Sequence, residues 1–126
     1  MNVSIKNFYD LDAWKKGHTL VLEIYKITSD FPREEAYGIT SQLRRASSSI
    51  TANIAEGFAR YHFKDKIKFY YNSRGSAAEV HNFLLLAKDL GYIDLDTCDT
   101  LCKKASEIGK LINGLIRSTE QQINNY

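Results

Sequence analysis

A chain of 126 residues that is 44% hydrophobic and 25% charged has the composition of one folded domain, residues 1–126, and not of a disordered segment. At this length folding removes roughly two-thirds of the unfolded surface from water, so a core forms without staples. The formal net charge of +2 excludes a strongly basic protein, and the positive bias is local, with seven basic residues against two acidic ones between Ile39 and Arg74.

The first dozen residues, Met1 to Asp12, hold no apolar run of signal-peptide length. No stretch approaches the roughly 18 apolar residues that span a bilayer; the longest apolar run, Phe83 to Ala87, is flanked by His81 and Lys88. A soluble, cytoplasmic protein with no membrane partner is expected. Pro32 is the single proline, which leaves long stretches free to be helical.

The first helix is expected from about Leu11 to Asp30, with Asp10 or Asp12 near its start, where a carboxylate suits the positive end of the helix dipole. It carries two adjacent apolar stripes, Leu11, Trp14, His18, Val21, Tyr25 and Leu20, Ile24, Ile27, Phe31, a face wider than one core contact requires. Phe31 to Glu35 breaks the helix. Pro32 is suited to open a short helical turn, and Gly38 marks the entry to the next element.

The second helix is expected from Ile39 to Ala55 or Phe58, with Ile39, Leu43, Ala46, Ile50 and Ile54 facing the core and Gly57 as a C-terminal cap. Beside that stripe runs a polar line, Gln42, Arg45, Ser49, Asn53, Glu56 and then Arg60, at spacings that share one side of the helix. The third helix is expected from about Lys64 to Leu90, with Phe69, Ser73, Ser76, Val80, Phe83, Ala87 and Leu90 inward. Its small residues Ser73, Gly75, Ser76, Ala77 and Ala78 would admit a close neighbour, and Gly91 ends it. The fourth helix starts near Asp94 or Asp96 and runs to about Ile123 on Leu101, Ala105, Ile108, Ile112, Leu115 and Ile116. Four long helices, short connections and no β-type alternation predict an all-α, antiparallel up-down-up-down four-helix bundle.

Through these elements the chain resembles a bacterial four-helix-bundle family first associated with intervening sequences of large-subunit ribosomal RNA genes, related to accessory proteins of diversity-generating retroelements. The resemblance rests on Trp14, His18, Phe31-Pro32, Glu35, Tyr37-Gly38, the run Thr40 to Ala46, Ser49-Ile50, Asn53 to Gly57, Arg60, Arg74 to Ser76, Glu79 and Gly91-Tyr92. The chain departs from that pattern at His62, Lys66 and Asn72-Ser73. The resemblance implies a homo-oligomer, a five-fold ring, with a link to RNA or to a nucleic-acid-processing protein. It brings no catalytic residues.

The polar line reads in two ways. As a network, Glu56 and Glu79 neutralise Arg45 and Arg74 while Gln42, Ser49 and Asn53 fix register or an interface. As a binding surface, Arg44, Arg45, Arg60 and Arg74, joined by Lys64 and Lys68, meet the phosphates of RNA or DNA, because the guanidinium fork matches phosphate oxygens. The mixture Tyr61, Lys64, Lys66, Lys68, Tyr70, Tyr71 also has two readings: a surface that stacks bases and holds backbone, or a solvated helix face. No enzyme is expected. His18, His62 and His81 are scattered, and there is no Glu-x-x-His pair, Gly-rich phosphate loop or Gly-x-Ser-x-Gly elbow. A Glu56–Glu79 pair holding a metal is the one enzymatic alternative. Cys98 and Cys102, four apart with no second ligand pair, are expected as buried thiols, and no metal or cofactor is expected. The primary expectation is a non-catalytic oligomeric module binding structured nucleic acid, RNA before DNA. The alternative is a protein–protein scaffold without nucleic-acid affinity.

Overall fold

The computed structural model describes residues 5–124. They form four helices, α1 (Asp12–Thr28), α2 (Ile39–Ala59), α3 (Phe63–Asp89) and α4 (Leu95–Asn124), with short 3-10 turns at Phe8–Asp10 and Arg33–Glu35 and no strand among the described residues. Each helix packs on its chain neighbour, and α4 closes back onto α1. The contacts run in opposite senses along each pair. Thr28 meets Arg44 while Gly17 lies against Thr51, and Arg45 meets Glu79 while Gly57 lies against Tyr70. Leu84 meets Cys98 while Arg74 meets Asn113, and Glu23 meets Lys104 while Lys16 meets Glu107. All four neighbouring pairs are therefore antiparallel, as the short connections require.

The helix ends explain the boundaries. The Asp10 carboxylate accepts from the Lys6 and Asn7 amides at 3.3 and 3.0 Å and folds the turn before α1. Pro32 immediately precedes the Arg33–Glu35 turn rather than opening it, and Gly38 precedes α2. Asp94, not Asp96, caps α4. Its Oδ1 accepts from the Thr97 amide at 2.7 Å, and that bond holds its carboxyl below the usual range. Gly91 has φ +81° and ends α3, with its amide on Lys88 and the Tyr92 amide on Ala87, both at 2.9 Å. This is the left-handed ending that lacks a Cβ penalty only for glycine. Tyr92 then donates to Glu35 Oε2 at 2.8 Å and sets its ring 5.3 Å from Phe31.

The expected stripe of α2 is buried throughout, and Leu20, Ile24, Val80, Leu84, Ile108 and Ile112 meet it in the core. Each such side chain contributes about 1.5–3 kcal/mol by leaving water. On α1 the wide face divides. Leu20, Ile24 and Phe31, extended by Ala13 and Gly17, enter the core, whereas Leu11, Trp14 and Val21 are half-buried and His18 and Tyr25 exposed. Cys98 and Cys102 are buried with sulfurs 3.8 Å apart, and burial pushes the Cys102 thiol up to about 11.

Two expectations for the α2–α3 seam are corrected. Gly57 is not a left-handed cap; among the described residues only Gly91 has positive φ. Gly57 is buried, and a Cβ there would stand 2.8 Å from Tyr70 Cε1 and 3.0 Å from Phe69 Cβ, so the glycine is needed for close approach. The inward face of α3 is also turned. Tyr70, Ala77 and Leu84 join Ser73, Ser76, Val80 and Ala87, while Phe69 and Phe83 are half-buried and Leu90 is exposed. The cause is local: Tyr70 packs into the space left by Gly57, and Ser73 Oγ donates to the Ile50 carbonyl at 2.7 Å. Gly75 and Ala78, expected to admit a neighbour, are exposed, with nothing within 4 Å of a Cβ at Gly75.

Gly57→Ala is therefore expected to destabilise the fold by about 1–3 kcal/mol through overpacking. Gly75→Ala is expected to stabilise it by about 0.5–1 kcal/mol through helix propensity. Urea midpoints that move the same way for both variants would refute the close-approach role. A second expectation concerns alkaline pH. Burial raises the Tyr70 hydroxyl to about 12, whereas an unfolded tyrosine ionises near about 10. The unfolded chain sheds that proton first, so the contribution is complete below about pH 10 and disappears as pH rises through about 12. Tyr70→Phe should flatten the fall in urea midpoint over that window; an equally steep fall would assign it to another group.

Candidate nucleic-acid interface

The basic residues singled out in the sequence do not gather on one face. Arg44 turns toward α1, where Nε donates to Thr28 Oγ1 at 2.9 Å, a terminal nitrogen reaches the Tyr25 carbonyl at 3.4 Å, and the guanidinium lies 4.6 Å from the Tyr25 ring centre. It is half-buried and binds the last turn of α1 to α2. Arg45 turns the other way, to α3, pairing with Glu79 at 2.7 Å while donating to Gln42 Oε1 at 3.0 and 3.2 Å. Arg60 pairs with Glu56 at 2.7 Å and lies over the Phe69 ring at 4.7 Å. Arg74 faces α4, donating to Asn113 Oδ1 at 2.9 Å over the Tyr71 ring at 4.7 Å. The four-arginine surface is corrected accordingly. Arg45 and Arg60 share the exposed α2–α3 groove, while Arg44 and Arg74 lie on the two flanking grooves.

The polar line is thus a surface network that satisfies itself. Gln42, Arg45, Glu56 and Arg60 are exposed, Ser49 and Asn53 half-buried, and Asn53 Nδ2 donates to the Ser49 carbonyl at 2.8 Å. Glu79 neutralises Arg45 as expected; Arg74, also assigned a carboxylate partner, has an amide oxygen instead. Glu56 and Glu79 each hold their own arginine. Glu79 sits level with Arg45, eleven residues from Glu56 and so roughly 16 Å along the helix axis. The two do not form a carboxylate pair, and no group of three metal-ligating side chains occurs among the described residues.

The mixed aromatic and basic run divides in the same way. Lys66 turns inward, donating to the Phe58 carbonyl at 2.6 Å and the Gly57 carbonyl at 3.4 Å, and burial lowers its pKa. It takes up carbonyls that the end of α2 leaves without an intrahelical partner. Tyr70 is in the core. Left outside are Tyr61, Lys64, Lys68, Tyr71 and Arg74. Lys64 and Lys68 are exposed and have neither ion pair nor hydrogen bond among the described residues. From Arg60 to Arg74 the chain carries five basic residues and one acidic one, Asp65. This is where unneutralised positive charge concentrates.

Residues 9–114 match the family described as 23S rRNA-intervening sequence protein. The chain belongs to this family. Among solved structures it is similar to a protein of unknown function from the S23 ribosomal protein family of Bacteroides thetaiotaomicron. The two share 23% identity and a TM-score of 0.74, over 82% of this chain and 97% of that one, a likeness of fold. No curated protein matches. Several residues that carry the family resemblance are structural here: Phe31, Glu35 and Tyr92 join two connections at one end, and Gly57 opens the α2–α3 seam.

No local pattern signals the Arg44–Thr28, Arg74–Asn113 or Lys66–Phe58 contacts, whose partners lie 16, 39 and 8 residues away. The adjacent arginines should separate in a stability measurement. Arg44→Ala is expected to lose about 1–2 kcal/mol, from a partly buried charged hydrogen bond and a cation–π contact. Arg45→Ala is expected to lose under about 1 kcal/mol, as exposed pairs do. Equal shifts in thermal midpoint would contradict the different roles drawn for them.

Proposed function

We propose that the protein is a non-catalytic, homo-oligomeric bundle of the cytoplasm that binds structured nucleic acid, RNA before DNA, through the first half of α3. One observation carries this reading: Lys64 and Lys68 stand exposed and unneutralised, one helical turn apart, in a segment with five basic residues and one acidic one. Lysine placed this way supplies the sequence-independent attraction to phosphate that dominates nucleic-acid affinity. Membership of a family described by ribosomal RNA intervening sequences supports RNA as the ligand. Arg45 and Arg60 add little at rest, since each already holds a carboxylate.

An exposed apolar surface on α1 supports the homo-oligomeric part of this reading. Leu22 and Tyr25 on α1 are 59% and 45% exposed, next to the Trp14–His18 stack at 4.7 Å. A second copy would cover this apolar surface, and a closed assembly, the five-fold ring implied by the resemblance, would repeat a weak site around one axis. Repetition raises overall affinity without new contacts. The neutralised α2–α3 groove favours a second reading, a scaffold that engages a nucleic-acid-processing protein and no RNA.

Fluorescence anisotropy of a structured RNA, titrated at several salt concentrations, separates the two. Binding is expected to weaken with salt at a slope of about −2 to −3 per engaged subunit, from three phosphate contacts. Lys64→Glu with Lys68→Glu is expected to weaken it by roughly tenfold or more while leaving the helical circular dichroism unchanged. Absence of binding at low salt would favour the scaffold, and a solution mass equal to the 14.4 kDa of one chain would remove the ring.

A further inference from the structure

We infer that the start of α3 holds an unpaired stretch of nucleic acid, with Tyr61 stacking on a base and Lys64 and Lys68 holding the flanking phosphates; this rests on the nucleic-acid reading above. Tyr61 is 88% exposed, in the connection between α2 and α3. Its ring meets His62 edge-on at 5.1 Å, and its hydroxyl bonds nothing among the described residues. Tyr71 differs: Arg74 covers one ring face at 4.7 Å, and its hydroxyl lies 3.3 Å from Glu120 Oε1. Tyr61 therefore supplies the free aromatic face of the strip.

A groove of about 550 Å³ lies beside it, lined by His62, Phe63, Lys64, Asp65 and Ile123. His62, Phe63 and Ile123 share its lining with one cation, Lys64, and one carboxylate, Asp65. Lys64 and Lys68 are one helical turn apart, about 6 Å along the axis, and of the two only Lys64 lines the groove.

Charge argues against a duplex as the occupant. Double-helix binders of ordinary affinity make about six to ten phosphate contacts, and this strip has three cations free of carboxylates. Base stacking on an aromatic ring contributes what the missing phosphates do not, and it is sequence-tolerant because every base has a π-face. Bases inside a duplex are already stacked on one another. An unpaired loop or end offers both a free base and adjacent phosphates, the combination this strip complements.

The test compares fluorescent single-stranded RNA of roughly 12 nucleotides, a length suited to such platforms, with the same strand fully paired and with its DNA counterpart. Wild type is expected to bind the single strand at least about tenfold more tightly than the duplex. Tyr61→Ala is expected to weaken single-strand binding by about tenfold, and Tyr61→Phe to retain it, because the ring and not the hydroxyl stacks. Tyr61 is too exposed for either change to disturb the core, which circular dichroism checks. RNA and DNA strands bound alike support stacking without 2′-hydroxyl contact, and RNA bound more tightly supports an added ribose contact. Duplex bound as tightly as single strand, or Tyr61→Ala binding as wild type, overturns the inference and leaves nucleic-acid binding standing. No binding of any probe at low salt overturns both and leaves the scaffold.

Discussion

The seam between α2 and α3 sets the chemistry of the surface. Gly57 lets Tyr70 approach the backbone of α2, and Ser73 Oγ locks onto the Ile50 carbonyl inside the contact. These two contacts fix the rotation of α3 about its axis. Turning an α-helix by one residue moves every side chain by about 100°, so the same contacts decide that Lys66 and Tyr70 point in while Lys64, Lys68 and Tyr71 point out. A packing constraint about two turns long on α2 selects which cations the solvent sees.

The same geometry explains why the basic residues are unequal. Arg44 and Arg45 are neighbours in sequence, yet a helix sends adjacent side chains to different sides. Arg44 becomes a strut to α1 and Arg45 half of an exposed pair with Glu79. Exposed pairs of this kind add little stability. Their larger effect here is to cancel local charge on α2 and leave the positive field to the start of α3, where an incoming polyanion would be steered.

Much of the architecture was legible. Spacings of three and four gave four helices, and the core stripe of α2 was read residue by residue, because a helix with one strongly apolar line has one way to face inward. The start of α3 was harder. Phe69, Tyr70 and Tyr71 are consecutive aromatics, and periodicity alone does not say which is buried; the choice is made by a glycine thirteen residues earlier. Glycine after a helical run usually signals a cap, whereas α2 continues past Gly57 to Ala59 and Lys66 supplies the cap from the next helix. For the site, composition correctly localised the positive bias, but partners distant in sequence decided which charges remained free.

The bond from the Tyr92 hydroxyl to Glu35, with the Phe31 ring alongside, joins the α1–α2 and α3–α4 connections at one end of the bundle. The other end carries a single crossover, where α2 turns into α3 through Arg60, Tyr61 and His62, tied by Lys66 Nζ on the Phe58 carbonyl and by Arg60 over the Phe69 ring. The bundle therefore ties two connections to each other at one pole and ties the third to its own helices at the other. Local opening follows the tertiary ties, so amide exchange at the first pole would involve both crossovers together. The strip of Tyr61, Lys64 and Lys68 lies at the pole away from that clasp, so a ligand held there would leave the paired crossovers undisturbed.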